Sequence, residues 1–187
     1  IVLTGAGIST NSGIPDFRSK EQGLYTTNYL AEKLKVFNKN AFSLQSFQQN
    51  PADFYKIVKT LFLPIVNGEY KPTPTHFFLK LLSDKGLLLR NYTQNIDALE
   101  SFAGIPKDKV VEAHGSFGSA SCSACGKECP SLREVWDAVE RNRVPKCDVC
   151  GGFVKPNVVF FGEPLQSQFF DNQKEDFDTC DLIIVMG

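Results

Sequence analysis

The chain has 187 residues, 42% hydrophobic and 22% charged, with a formal net charge of −1 and 16 phenylalanines. That length holds one sizeable core, with or without a satellite module, and the composition excludes a disordered chain. The near-neutral balance, without a lysine or arginine cluster, argues against nucleic acid as a direct ligand, and no run approaches the roughly 20 apolar residues that span a bilayer.

Residues 1–4 read as a buried strand feeding the glycine-rich turn Gly5-Ala6-Gly7. Residues 24–72 are helical or irregular, rich in Asn, Gln and Lys. Within them Asn50-Pro51 offers an N-cap and a proline at the first helical position, followed by Phe54, Ile57, Val58, Leu61 and Phe62 at helical spacing. Thr73-Pro74 starts a second helix, ended by Gly86. Apolar runs at residues 87–93, 109–112, 157–161 and 182–186 predict further strands, and residues 167–180 a third helix. Near-continuous Val, Ile and Leu suits a parallel sheet covered on both faces. Strands alternating with helices predict a doubly wound, Rossmann-like α/β fold. The chain begins inside a strand and stops just after another, so it reads as one domain truncated at both ends. Its sheet part covers 1–23, 73–117 and 154–187, with a helical insertion at 24–72 and a cysteine-bearing module at 118–153.

Five of the six cysteines lie between Cys122 and Cys150. Cys122-Ser-Ala-Cys125 and Cys147-Asp-Val-Cys150 form two Cys-x-x-Cys knuckles, each able to point two thiolates at one tetrahedral ion. Four sulfurs leave no open position for water, so the zinc they imply is structural. Cys129 is a spare that can compete with Cys125. Cysteines clustered for metal, together with no charged leader, predict an intracellular, reducing location.

Gly5 and Gly7 allow a tight turn and close approach of backbone to a pyrophosphate; the alternative is a plain strand–helix corner. Thr10 stands where a dehydrogenase fingerprint has its third glycine, and no acid ends a second strand about 20 residues on. His76, on an amphipathic helix, reads as a core or cap histidine. His114 follows a strand at the sheet's carboxyl edge with Gly115 beside it, so it is either a general base or a structural histidine. Thr93-Gln94-Asn95-Ile96-Asp97 ends another strand with two amides and a carboxylate, suited to sugar hydroxyls and an amide, or to an ordinary capped turn.

Taken together, "GAGIS…GIPDFR", "TQNID", "EAHG", the two knuckles, "KPNVVFFGE" and "CDLIIVMG" resemble the sirtuins, the NAD-dependent protein deacylases, in the same order over the whole chain. "DKGLLLRNYTQNID" is similar to the class that includes the cytoplasmic and nuclear deacetylases. The resemblance implies that Ala6, Gly7, Ile8, Ser9 and Thr10 cradle NAD, with Asp16, Phe17 and Arg18 on a covering loop. It places Gln94 and Asn95 at the nicotinamide ribose with Ile96 beside them, Asp97 at the nicotinamide carboxamide, and His114 as general base with Asn95 as its catalytic companion. Val159, Phe160, Phe161 and Gly162 would line an acyl-lysine tunnel and offer backbone to an extended peptide. For Phe160 and Phe161, core filling is the alternative.

The chemistry implied is consumption of NAD. The acyl-lysine oxygen attacks the anomeric carbon as nicotinamide leaves, and His114 frees a ribose hydroxyl to capture the acyl carbon. Acyl-ADP-ribose and lysine result. Relatives that prefer succinyl or malonyl groups resemble one another in a Tyr-x-x-Arg pair. No arginine lies between Arg18 and Arg90 here, which points to acetyl or another neutral acyl group. Substrates would be histone or non-histone proteins, without nucleic acid or membrane, in cytoplasm or nucleus. Two alternatives share the residues: mono-ADP-ribosyl transfer to a protein, and a non-catalytic ADP-ribose-binding or zinc docking module.

Overall fold

The structure, a computed structural model, describes residues 1–16, 19, 23 and 40–187. In chain order its elements are β1 (Val2–Thr4), α1 (Leu44–Gln49), α2 (Ala52–Ile57), α3 (Leu63–Val66), α4 (Pro74–Asp84), β2 (Asn91–Thr93), α5 (Leu99–Phe102), β3 (Val110–Glu112), β4 (Gly115–Cys122), α6 (Leu132–Glu140), β5 (Val154–Val158), α7 (Ser167–Thr179) and β6 (Ile184–Met186). The described residues fall into two compact units. One is drawn from Ile1–Phe17, Tyr70–Gly115 and Pro164–Gly187, the other from Arg18–Glu69 and Ser116–Glu163.

The first unit holds the parallel sheet, in the order β3-β2-β1-β6. Val2 pairs with Asn91 and Ile184, and Asn91 with Val110. Val2 and Val110 pack with Leu79, Leu88, Ile8 and Ile105 on one face, against which Ile184 also lies. One residue along, Tyr92 and Val111 pack with Ile1, Leu3 and Phe169 on the other. Helices α4 and α7 thus supply apolar cover to alternate rows of the pleat, as a two-sided parallel sheet requires. The strands predicted at 1–4, 87–93, 109–112 and 182–186 are present but shorter, and the parallel α/β class stands. Asn91 is buried in the row of Val2 and Val110, and its amide donates to Val2 O at 3.3 Å and Thr4 Oγ1 at 3.1 Å. These bonds offset burial of the amide nitrogen, while Asn91 Oδ1 is buried without a partner.

Helix α4 begins as predicted, with Thr73 as N-cap and Pro74 at the first position, and Gly86 follows its end at φ 69°. His76 is the cap histidine: its Nδ1 accepts from the Thr73 N–H at 3.1 Å. Helix α7 is tied to β2 by Asp176. That carboxylate accepts from Arg90 Nε at 2.8 Å and from Tyr92 Oη at 2.5 Å while being 4% exposed. Burial alone would raise its pKa, but the bonds from Arg90 and Tyr92 outweigh it and hold the group below the usual carboxylate range. A depressed folded-state pKa contributes stability that is present above the unfolded value of about 3.9 and lost as pH falls through the folded value. Asp176→Ala is expected to cost about 3 kcal/mol, since it leaves Arg90 without its carboxylate partner. Asp176→Asn should flatten the acid limb of a plot of Tm against pH; an unchanged limb would contradict the assignment.

The second unit is built on aromatic rings. Phe47, Phe54 and Phe160 are essentially buried, with centroids 5.5 Å apart for Phe47 and Phe54 and 4.9 Å for Phe54 and Phe160. The helix after Asn50-Pro51 is present, with Pro51 at the N-cap in place of Asn50, which ends α1, and Phe54, Ile57, Val58, Leu61 and Phe62 are all buried. Its middle, Val58–Phe62, is wound as a π-helix, with the Leu63 N–H on Val58 O. Pro64 follows at once; it has no N–H and its ring crowds the carbonyl four residues back, and the wider turn relieves this.

Two differences from the sequence reading concern strands. The run at 157–161 was expected in the parallel sheet; the strand is instead β5, paired with β4 in a separate two-stranded sheet. Val154, Pro156 and Val158 are buried while Lys155 and Asn157 are not, a period of two that marks one covered face rather than two. Residues 118–153, the cysteine-bearing module, also hold most of β4 and all of α6. Helix α6 is capped by Ser131, which accepts from the Glu134 N–H, and buries Val135, Trp136 and Val139.

Candidate active site and metal centre

The register of the parallel sheet aligns its carboxyl ends. Thr4 pairs with Thr93 and Met186, and Thr93 with Glu112. Everything that follows these residues therefore emerges on one rim: the glycine turn after β1, Gln94 to Asp97 after β2, and His114 after β3. This is where open α/β sheets place their ligands.

The turn after β1 is two successive 3-10 turns, Ala6–Ile8 and Thr10–Ser12. Its internal bonds run from Ile8 N to Gly5 O at 3.2 Å and from Ser9 N to Ala6 O at 3.0 Å, and so do not use the amides of Ala6 and Gly7. Gly7 is required by its neighbour, since a Cβ there would meet Gly187 O at 2.8 Å. Close backbone approach is real here, and it is toward the end of β6. Thr10, in place of a third glycine, closes the turn by donating to Gly7 O at 3.1 Å. The Ile8 side chain belongs to the core, leaving only its backbone for the turn. Asp16 is half-buried; Phe17 and Arg18 lie outside the described residues.

Asn95 stitches the first two loops together. Its side-chain amide donates to Gly5 O at 3.0 Å and to Ser9 Oγ at 3.3 Å, and its backbone N–H donates to Thr93 Oγ1 at 3.1 Å. Gln94 N donates to Thr4 O at 3.0 Å, while its side chain is exposed. Ile96 is buried. Asp97, 5% exposed, accepts the Leu99 N–H at 3.0 Å.

His114 joins the third loop to the second. Its Nδ1 lies 2.8 Å from the backbone carbonyl of Gln94. A carbonyl only accepts, so Nδ1 carries the proton and the neutral ring keeps its lone pair on Nε2. The ring is only partly buried. The rim thus presents an oriented imidazole acceptor, an exposed glutamine, a fixed asparagine amide and a buried carboxylate.

Of the residues proposed for acyl-lysine, Phe160 is 1% exposed in the aromatic core, and Phe161 is 59% exposed. Backbone around them is partly engaged: Phe161 N donates to Phe42 O at 2.9 Å, and Phe160 N to Glu163 Oε2 at 2.7 Å. Glu163 is held in turn by Lys155 at 2.9 Å. Val159 is half-buried and Gly162 exposed.

In the second unit, the sulfurs of Cys122, Cys125, Cys147 and Cys150 all lie within 4.8 Å of one another. Cys122 and Cys150 are 3.4 Å apart, and Cys125 and Cys147 are 3.9 Å apart. Zinc about 2.3 Å from each sulfur sets tetrahedral edges of about 3.8 Å, close to the spacing of the four sulfurs. Amides support the sulfurs: Ala124 N, Val149 N and Gly152 N reach Cys122, Cys147 and Cys150, each at 3.4 Å. Amides of Cys125 and Ala124 pull the Cys122 thiol down to about 6. The Gly152 amide favours thiolate at Cys150, yet the neighbouring sulfurs push it up to about 12, as expected of a cluster short of positive charge. Cys129 is apart, turned to Ser131 O. Each knuckle ends in a glycine at positive φ, Gly126 at 73° and Gly151 at 71°, and a Cβ on Gly152 would meet Cys122 Sγ at 3.0 Å. A Cys-x-x-Cys-Gly repeat, legible in the sequence, carries this signal.

Among the described residues no helix is long and apolar enough to cross a membrane. The chain matches the family model described as Sir2 family over residues 5–187. Over its whole length it is 50% identical to the NAD-dependent deacetylase sir2A of Dictyostelium discoideum, covering 36% of that protein. It is 47% identical to the NAD-dependent protein deacetylase sirtuin-3 of Mus musculus and 43% identical to the NAD-dependent protein deacetylase hst2 of Schizosaccharomyces pombe, in each case spanning all of this chain and 54% of the relative. The chain therefore spans between about a third and a half of the length of these relatives. With the aligned rim, the oriented histidine and the four-cysteine cluster already in place, a match of this extent shows that the chain belongs to the Sir2 family.

Proposed function

We propose that the protein is an NAD-dependent lysine deacylase that removes acetyl or another neutral acyl group from protein substrates, histone or non-histone, in the cytoplasm or nucleus. The names of its relatives support NAD and a protein substrate. The single observation that carries the reading is the His114 tautomer: Nδ1–H is held by the Gln94 carbonyl, so Nε2 is the proton acceptor at the rim. A module that merely binds ADP-ribose has no need of an aimed base there.

NAD enters as a co-substrate whose bond to nicotinamide is broken, with transfer of the acyl group to ADP-ribose. In this chain the Ala6 to Thr10 turn supplies amide donors for the pyrophosphate. Gln94 and Asn95 orient the ribose, Asp97 accepts from the nicotinamide carboxamide, and His114 Nε2 removes a proton from a ribose hydroxyl. Asp16, Phe17 and Arg18 cover the site and keep water out, which matters because an activated sugar is otherwise hydrolysed. Val159, Phe160, Phe161 and Gly162 form the acyl-lysine segment, in which the exposed Phe161 ring is the side chain available to the substrate. The zinc is structural, and the chain acts as one catalytic domain, with the helical insertion of residues 24–72 and the zinc module of residues 118–153.

Mass spectrometry of the full-length protein incubated with NAD and an acetyl-lysine peptide tests this reading. The expected products are free lysine peptide and acyl-ADP-ribose in equal amounts. A peptide gaining ADP-ribose instead would establish the transferase alternative.

A further inference from the structure

Behind the rim lies a buried group of which the proposed chemistry uses only Asp97. His76 on α4, Asp97, and Glu100 on α5 are 0%, 5% and 1% exposed, and a ring nitrogen of His76 and carboxylate oxygens of the two acids all lie within 4.8 Å of one another. Two of its atoms, His76 Nε2 and Glu100 Oε1, are buried without a hydrogen-bond partner. Burial keeps His76 below its ordinary pKa, with Asp97 opposing, so the ring is neutral. Its Nδ1 accepts the Thr73 N–H, which leaves the ring proton on Nε2.

Two carboxylates this close in a dry site do not both ionise without a counter-charge. We propose that Asp97 and Glu100 hold one proton between them in the free protein, with the His76 Nε2–H completing the group, and that this proton leaves to solvent when a cationic nicotinamide ring occupies the site. Glu100 is the proton's main holder. Its burial, and next the charge of Asp97, push it up to about 7, against hydrogen bonds from Thr93 on β2 and from its own amide. Glu112, at the end of β3, adds negative charge from a further element. Bound NAD brings a positive ring, the counter-charge that lets both acids ionise; released nicotinamide is neutral and brings none. The pair would then tell substrate from product by charge. The inference rests on the proposed contact between Asp97 and nicotinamide, and Glu100 is a positioning residue acting through Asp97.

Titration calorimetry of the full-length protein, in buffers of different ionisation enthalpy on either side of pH 7, reads the proton directly. Wild type should release a fraction of a proton, at most one, on binding NAD, and none on binding nicotinamide. Glu100→Gln keeps the shape of the neutral acid and should bind NAD with no release. Independently of ligand, carbon-13 NMR should show a glutamate carboxyl titrating near 7 that moves down in Asp97→Asn, where burial remains and the neighbouring charge is gone. Equal release by wild type and Glu100→Gln, or wild-type Glu100 titrating as an ordinary acid, overturns the shared proton. A carboxyl that titrates near 7 in a protein that binds no NAD refutes instead the nicotinamide role of Asp97, and with it the coupling.

Discussion

His114→Ala is expected to lower kcat for deacylation roughly 100- to 10,000-fold, the usual contribution of a positioned general base. The basis is geometric: only Nδ1–H is engaged, by the Gln94 carbonyl, and Nε2 faces no partner among the hydrogen bonds of the rim. Since the residues proposed to hold NAD lie on other loops, the variant should keep its NAD affinity and its melting temperature while losing turnover. Asn95→Ala is a different experiment. Its amide ties Gly5 and Ser9 to the β2 loop, so that change should raise the KM for NAD as well as lower kcat. Turnover of His114→Ala equal to wild type would remove the base from the account.

Stripping zinc is expected to unfold the second unit. Structural zinc contributes on the order of 10–16 kcal/mol in small metal-folded peptides, comparable to the whole stability of an ordinary domain, about 5–15 kcal/mol. Without the ion, four sulfurs within 4.8 Å of one another either repel as thiolates or become protonated, and neither state holds the knuckles. A strong chelator should abolish the cooperative melting transition. Cys147→Ser should lower the zinc content below one per chain, whereas Cys129→Ser should retain one, because Cys129 is turned to Ser131 O. An unchanged melting temperature after chelation, or zinc lost in Cys129→Ser, would contradict the four-cysteine assignment.

Much of this was legible because it is local. The knuckles, the Thr73-Pro74 start of α4 and the glycine turn are each decided by residues a few positions apart. What escaped the sequence reading was decided elsewhere. Helix α6 carries its own signal, Ser131 with Glu134 three residues later, a capping pattern that the surrounding cysteines and small polar residues obscure. Strand β4 escaped because five of its eight positions are Ser or Gly, so its partial alternation shows in burial and not in hydropathy. The run at 157–161 looked like a doubly covered strand, but Phe160 serves an aromatic core and the true strand begins three residues earlier. Gly7 reads locally as a pyrophosphate turn or a strand–helix corner, whereas its want of a Cβ makes room for Gly187, 180 positions away in the chain. The grouping of His76 with Asp97 and Glu100 is of the same kind: α4 and the β2 loop meet only once the sheet has formed.

Nicotinamide release by the full-length protein, measured with NAD in the presence and absence of an acetyl-lysine peptide, tests the central claim most directly. The account predicts release that depends on the peptide and matches the lysine freed, mole for mole. Release at the same rate without peptide, or deacetylation that proceeds without NAD, would contradict it.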